Sequence, residues 1–184
     1  GDNFILVTVH PETNSSHPFD PLDAVLAELD AAPRPTVITA PNADPGGAEM
    51  RTRIEAFAAA RPWAVFRDTL GIRLYASALR FAAVMLGNSS SGIVEAPTAR
   101  TPTVNIGDRQ RGRLKAPSII DCDESADAIL TAVEKALSPE FQQLAAEGQT
   151  LFGEGGASKR IKEVIKEASL EGILFKRFHD LEID

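Results

Sequence analysis

Short apolar runs of strand length alternate with segments of helical period along most of the chain. Residues 82–86 are apolar at every position, which is typical of a strand covered on both faces. This alternation favours parallel strands joined by helical crossovers over a series of hairpins. The sequence therefore predicts an α/β fold, a three-layer, Rossmann-like, doubly wound parallel sheet with helices on both faces.

Apolar periodicity and turn residues set the expected element boundaries. Strands are predicted at residues 4–10, 36–40, 63–66, 82–86, 103–106 and 118–121. Helices are predicted at residues 20–31, 48–60, 71–79, 93–98, 125–137, 140–148 and 157–170. Asp20 is the expected N-cap of the first helix, with Pro21 in its first turn.

Composition excludes several classes of partner. The chain has 184 residues and a net charge of −7, which argues against nucleic acid or an anionic membrane surface as the main partner. A phosphorylated small molecule remains compatible, because a local site can be basic. The single cysteine, Cys122, excludes an intramolecular disulfide, and neither His17 nor His179 has the spacing of a metal ligand. With no membrane-length apolar run and no signal pattern, we expect a metal-free, cytoplasmic protein.

Both ends of the chain suggest that a larger protein surrounds it. A strand-like run begins at Phe4 with no initiator Met, which predicts one domain of a longer chain. The tail keeps Ile173, Leu174, Phe175 and Phe178, which are too apolar to remain in water. We therefore expect a ligand-binding domain over residues 1–170 and a tail over residues 171–184 that packs on a further domain.

Polar clusters follow four of the predicted strands. The first strand ends at His10, the second precedes Asn42 and Asp44, the fourth precedes the serine-rich loop 87–92, and the fifth precedes Arg109. Ligands of doubly wound sheets bind at the carboxyl ends of the strands, where the strand order reverses. We expect these clusters to converge on one ligand site.

The loop 87–92 combines two glycines with Ser89, Ser90 and Ser91 at the start of a predicted helix. Small residues, free N–H groups and hydroxyls suit the binding of phosphate oxygens. The loop matches neither a Walker motif nor the GxGxxG fingerprint, and an ordinary strand-to-helix turn would use the same residues. Glu95, expected on the first turn of that helix, could accept hydrogen bonds from ribose hydroxyls or simply stabilise the helix dipole.

The other candidates have equally plain alternatives. His10 could be a buried structural histidine, and Asn42 and Asp44 could serve only the turn before the second helix. Arg109 and Arg113 belong to an Arg-x-Arg-x-Arg run that could be solvated charge, although its place after a strand favours contact with phosphate or sugar. There is no nucleophile-elbow motif, and Cys122 has no histidine near it in sequence. The residues by themselves indicate a nucleotide or phosphosugar half-site that binds rather than cleaves.

Three segments together carry a family resemblance. They are Pro-Asn-Ala-Asp-Pro-Gly-Gly at 41–47, Gly-Asn-Ser-Ser-Ser-Gly-Ile-Val-Glu-Ala-Pro at 87–97 and Asn-Ile-Gly-Asp-Arg-Gln-Arg-Gly-Arg at 105–113. From residue 9 to residue 156 the sequence resembles the C-terminal half of the hydrolysing UDP-N-acetylglucosamine 2-epimerases, enzymes of sialic acid and related sugar biosynthesis. The non-hydrolysing 2-epimerases have a different segment after the fifth strand.

The resemblance implies the second half of a GT-B fold, with a UDP-sugar in the cleft between two Rossmann-like domains and no cofactor. By the resemblance, Ser89 and Ser90 would contact the diphosphate and Glu95 the ribose. His10, Asn42 and Arg109 would contact the phosphate–sugar region. Position and chemistry add three further candidates, which are Ser91, Asp44 and Arg113.

The implied reaction eliminates UDP and then adds water with inversion at C2, giving N-acetylmannosamine and UDP. The acid and base carboxylates of the family come mainly from the first domain, so only His10 is a possible catalytic residue here. We therefore expect this chain to bind UDP without turnover and the full-length enzyme to be a homo-oligomer. Two alternatives remain open, a UDP-sugar-dependent GT-B glycosyltransferase and a non-catalytic nucleotide-binding module.

Overall fold

The computed structural model describes residues 4–13, 15–153, 155–175 and 178. The first three residues, His179 and most of the tail 171–184 lie outside this part of the chain. Contacts divide the chain into two units, Gly1–Phe152 and Gly153–Asp184. The sequence predicts a division after residue 170, and this assignment of 1–170 and 171–184 stays a prediction.

Six parallel strands form one sheet in the first unit. Their order is β3-β2-β1-β4-β5-β6, so the sheet winds outwards from β1 in both directions. The strands are β1 Phe4–Thr8, β2 Thr36–Thr39, β3 Ala64–Arg67, β4 Ala82–Gly87, β5 Thr103–Ile106 and β6 Ile119–Cys122. This topology confirms the predicted Rossmann-like, doubly wound fold.

Helices cover both faces of the sheet and complete three layers. In the first unit they are α1 Asp20–Ala31, α2 Gly47–Ala59, α3 Gly71–Phe81, α4 Ser91–Val94, α5 Ala96–Ala99, α6 Ala126–Leu137 and α7 Pro139–Ala146. The second unit contains α8, Ala157–Glu167. Most boundaries lie within one or two residues of the prediction, whereas α8 ends three residues earlier than expected.

Successive side chains of the central strands point to opposite faces of the sheet and join two separate hydrophobic cores. Ile5 and Val7 of β1 point to one face, where they join the buried residues of α1, α2 and α6. Leu6 points to the opposite face and packs with Met85 of β4 and Leu79 of α3. Both faces of these strands are therefore dry, which explains why the sequence of β4 is continuously apolar.

Three predicted boundaries were wrong in ways that matter for the site. β1 ends at Thr8 instead of residue 10, because the N–H of His10 bonds a side chain rather than the neighbouring strand. The N-cap of α1 is Phe19, so Asp20 lies inside the helix. The helix expected at 93–98 is two short helices that meet at Glu95, since Pro97 has no N–H to continue the ladder of α4.

The second unit exposes a run of apolar side chains. Ile161, Val164 and Ile165 of α8 are each more than half exposed, and no residue of α8 is buried. Leu174, Phe175 and Phe178 beyond it are even more exposed. Among the described residues, no helix is both long enough and apolar enough to cross a bilayer.

Candidate functional site

The strand order reverses between β1 and β4, and this switch point forms the centre of the candidate site. Gly87, at the end of β4, has a φ of +143°. A Cβ placed there would lie only 2.0 Å from the carbonyl oxygen of Thr8. Glycine therefore lets the ends of the two strands approach closely, so that the loops that follow them lie side by side.

His10 leaves β1 directly into this crevice. Its Nδ1 accepts a hydrogen bond of 3.0 Å from the backbone N–H of Asn42. Burial lowers the pKa of His10 to about 4, helped by the positive charge of Arg109 and opposed by Asp44. At neutral pH the imidazole is therefore uncharged. Because Nδ1 is an acceptor, its proton sits on Nε2, which leaves that nitrogen as a hydrogen-bond donor.

The loops after β2 and β5 bring two more predicted residues to His10. The side-chain amide of Asn42 donates to the carboxylate of Asp44. Asp44 in turn lies 3.9 Å from the guanidinium of Arg109. Four residues predicted from sequence therefore form one connected group, in which a carboxylate and a guanidinium flank a neutral imidazole.

The three serines of the β4 loop differ in their surroundings. Ser89 and Ser91 are each 8% exposed, and their hydroxyls bond each other at 3.1 Å. Ser90 is exposed. Within the part of the chain that the structure describes, the backbone N–H groups of Ser89 and Ser90 have no hydrogen-bond acceptor. Ser89 Oγ accepts both bonds from Ser91, so these two N–H groups and the hydroxyls of Ser89 and Ser90 are donors available to an anion.

A chain of hydroxyls lies beneath the serine loop. Thr39 and Thr8 bond at 2.7 Å, Thr8 contacts the Tyr75 hydroxyl at 3.5 Å, and Tyr75 bonds Ser91 at 2.6 Å. Ser91 was a candidate ligand for phosphate, but its hydroxyl already bonds Tyr75 and Ser89. The geometry therefore gives Ser91 a supporting role, and Tyr75 had not been predicted from sequence.

Glu95 lies at the rim of a cavity beside the carboxyl ends of β2 and β3. The cavity has a volume of about 560 Å³. Its lining is largely apolar and comes from the loop before α3 and from α3 itself, with Thr69, Leu70, Ile72, Tyr75 and Leu79 among its residues. Volumes of this size are usual for small-molecule sites. Glu95 itself is exposed, so its carboxylate is available to a ligand.

Two residues that the sequence did not single out organise the site. Asn88 and Gln110 are 0% and 2% exposed, and the Gln110 side chain donates to the Asn88 carbonyl at 2.8 Å. Both residues lie within the motifs quoted above. From sequence alone, however, a side-chain amide that ties loops together cannot be distinguished from one that only favours a turn. Arg113 is exposed, and no hydrogen bond or ion pair among the described residues joins its side chain to this group.

The β5–β6 side of the same edge is strongly acidic. A cavity of about 590 Å³ there is lined by five carboxylates and two cations: Glu12, Asp108, Asp121, Asp123 and Glu124, with Arg111 and Lys115, which pair with Asp108 and Asp121. Burial and the neighbouring carboxylates, Glu12 first among them, raise the pKa of Glu124. Burial likewise raises the pKa of Cys122 to about 12, so its thiol stays protonated. An anionic ligand is therefore disfavoured on this side.

Comparison with known proteins agrees with this architecture. The family model described as UDP-N-acetylglucosamine 2-epimerase matches residues 1–166. The chain belongs to this family. The match covers every site loop described above and confirms the resemblance drawn from the three motifs.

Relatives in the family are about twice as long as this chain. A GDP/UDP-N,N'-diacetylbacillosamine 2-epimerase (hydrolyzing) of Campylobacter jejuni is 36% identical over 180 residues, 96% of this chain and 46% of that protein. A polysialic acid biosynthesis protein of Escherichia coli is 28% identical over 187 residues, again 46% of its length. The chain thus spans about half the length of the curated relatives it matches.

Solved structures show the same fold. The UDP-GlcNAc 2-epimerase of Methanocaldococcus jannaschii, in complex with UDP-GlcNAc and UDP, superposes with a TM-score of 0.70 at 14% identity. The superposition covers 91% of this chain and 46% of that protein. At such low identity the likeness supports the α/β fold.

Proposed function

We propose that this chain is the UDP-binding half of a hydrolysing UDP-N-acetylglucosamine 2-epimerase. The observation that carries the proposal is the cluster of His10, Asn42 and Arg109 at the β1–β4 switch point, in a chain that belongs to the 2-epimerase family. Family membership favours the epimerase over a glycosyltransferase or a non-catalytic module.

The distribution of charge and apolar surface gives the nucleotide an orientation. The base and ribose occupy the largely apolar cavity at β2 and β3, with the ribose hydroxyls donating to Glu95. The loop at Asp68, Thr69 and Leu70 offers backbone groups to the base. The opposite orientation would place the diphosphate or sugar against Glu12 and Glu124, where the carboxylates are crowded.

The diphosphate then lies over the switch point. The Nε2–H of His10, the guanidinium of Arg109 and the free donors of Ser89 and Ser90 all surround this position. A neutral imidazole donates a hydrogen bond at little electrostatic cost beside Arg109. Asn42 and Asp44 complete the group and face the sugar.

The proposed reaction has two steps. A base removes the proton at C2 while the C1–O bond breaks, so that UDP leaves and a 2-acetamidoglucal forms. Water then adds its hydroxyl to C1 and a proton reaches C2 on the opposite face, giving N-acetylmannosamine. Residues outside this chain supply the main acid and base, and His10 is positioned to hold a proton near the leaving diphosphate.

Three wider features complete the proposal. The apolar residues of the tail 171–184 pack on the other half of the enzyme, which would remove their apolar surface from water. The full-length enzyme is a homo-oligomer. It acts in the cytoplasm in the biosynthesis of sialic acids or related sugars, in line with the name of the Escherichia coli relative.

Calorimetric titration with UDP tests the binding half of this proposal. We expect the 184-residue chain to bind UDP more tightly than ADP. Loss of the ribose contacts in Glu95→Ala should weaken binding at least tenfold, since a hydrogen bond to a charged group contributes about 1.5–3 kcal/mol. Glu134→Ala removes an exposed carboxylate of α6 and serves as the matched control.

Two results would contradict the proposal. One is that the folded chain shows no binding at millimolar UDP, whether the other half of the enzyme is present or absent. The other is Glu95→Ala binding UDP as tightly as the control. Incubation of UDP-N-acetylglucosamine with the chain alone should release no UDP, because the main acid and base are elsewhere.

A further inference from the structure

The side-chain amide of Asn88 joins the loops after β1 and β4. Its Oδ1 accepts the backbone N–H of His10 at 2.8 Å, and its Nδ2 donates to the carbonyl of His10 at 2.9 Å. Asn88 is wholly buried, so water does not compete for either bond. The two bonds replace the strand pairing that stops at Thr8 and Gly87 and hold His10 where β1 leaves the sheet.

The backbone carbonyl of Asn88 anchors a third loop. It accepts the side-chain amide of Gln110 at 2.8 Å and the guanidinium of Arg109 at 3.3 Å. Asn88 follows β4, and it is therefore bonded to residues of the two loops that follow β1 and β5. Its own side chain nevertheless makes no bond to the face on which a ligand would lie, since both polar atoms are engaged by His10.

We propose that Asn88 is the positioning residue of the site: its side chain fixes the backbone of His10, and so the place of the His10 imidazole, beside the Arg109 guanidinium that its carbonyl holds, in one arrangement around the diphosphate. This inference rests on the proposed function and goes beyond it, because Asn88 would act without touching the ligand. The carboxamide of Asn88 carries its acceptor and its donor on two separate atoms, so it can accept from the His10 N–H and donate to the His10 carbonyl at the same time. Aspartate has no donor, and leucine of similar size leaves both backbone groups unpaired and buried.

Asn88→Ala is the test, with Asn105→Ala as its matched control. Asn105 is also wholly buried and also bonds through its side-chain amide, in this case to Asp121 on the far side of the site. We expect Asn88→Ala to weaken UDP binding at least tenfold, and Asn105→Ala to change it by less than threefold. Equal effects of the two variants would assign Asn88 a merely structural role and overturn the proposal.

A second measurement reads the position of His10 without any ligand. The ¹⁵N shifts of the His10 ring report its tautomer, which the bond from Asn42 to Nδ1 fixes in the wild type. In Asn88→Ala these two shifts should move towards each other as that bond loosens, whereas in Asn105→Ala they should stay. Unchanged ring shifts in Asn88→Ala would overturn the proposal even if UDP binding fell.

The two measurements separate the positioning role from the proposed function. If the wild type does not bind UDP, the proposed function fails, while the ring shifts still decide whether Asn88 positions His10. If Asn88→Ala does not fold, Asn88→Asp takes its place, because it keeps the shape and the acceptor but not the donor. Ring shifts of His10 that match the wild type in Asn88→Asp would overturn the proposal.

Discussion

The low pKa of His10 makes a definite prediction about stability and pH. The imidazole has a pKa of about 4 in the folded chain against 6.5 for the free side chain. Above pH 6.5 it is neutral in both states and the folded state keeps its full stability. As the pH falls from 6.5 to 4, the unfolded chain binds a proton that the folded chain does not, so the free energy of unfolding decreases.

The size of this loss follows from the shift. The full difference in pKa corresponds to about 2.5 kcal/mol between pH 7 and pH 4.5. The imidazole is partly exposed, so solvent screening reduces this to about 1–2 kcal/mol. His10→Asn is the comparison, because its side-chain oxygen lies near the position of Nδ1, can accept the Asn42 N–H and does not titrate.

Urea unfolding at pH 7, 5.5 and 4.5 measures the effect. The chain has one tryptophan, Trp63, which packs edge-on against Phe57 at 5.7 Å and reports on the first unit. The wild type should lose about 1–2 kcal/mol more than His10→Asn between the two extremes of pH. The carboxylates titrate in both proteins, so their contribution cancels in the difference between the two free energies of unfolding. Parallel pH profiles would refute the claim that His10 is held neutral by burial and by Arg109.

Two further predictions concern stability at neutral pH. Gly87→Ala should cost more than about 4 kcal/mol or prevent folding, because its Cβ would overlap the Thr8 carbonyl, whereas Gly71→Ala has open space around it and should cost about 1 kcal/mol. Similar losses in urea unfolding would contradict this. Arg34→Met should cost about 3 kcal/mol, because it leaves the fully buried carboxylate of Glu28 without its partner at 3.0 Å. Adding Glu28→Gln should recover part of that loss, and an additive double variant would refute the pairing.

The fold was largely predictable because its signals are local. Continuous apolar runs at β4 and helical periodicity at α6 depend only on neighbours in sequence, and the parallel order follows from their alternation. One error came where a residue distant in sequence determines the local structure: β1 stops at Thr8 because the side chain of the loop after β4 takes the next N–H. The division of the helix predicted at 93–98 has a local cause, since Pro97 lies within that segment.

The candidate site was predictable only in its location. The carboxyl ends of parallel strands meet at one edge, so His10, Asn42, Asp44 and Arg109 could be placed together without knowing any contact. The partners of each side chain depend on elements that are not adjacent in sequence. The Ser91 hydroxyl bonds Tyr75 of α3 and Ser89, which serine-loop chemistry alone does not indicate.

Asn88 illustrates the physical reason for this limit. Its amide and the backbone of His10 are 78 residues apart in sequence, and they meet only because β1 and β4 are neighbours at the switch point. An asparagine between glycine and serine suits a local turn, and that local preference hides its long-range use. In a fold whose ligands bind on loops, the residues that favour turns are also those with the donors and acceptors to tie loops together. At Asn88, after β4, the structure therefore reveals contacts that the sequence alone does not indicate.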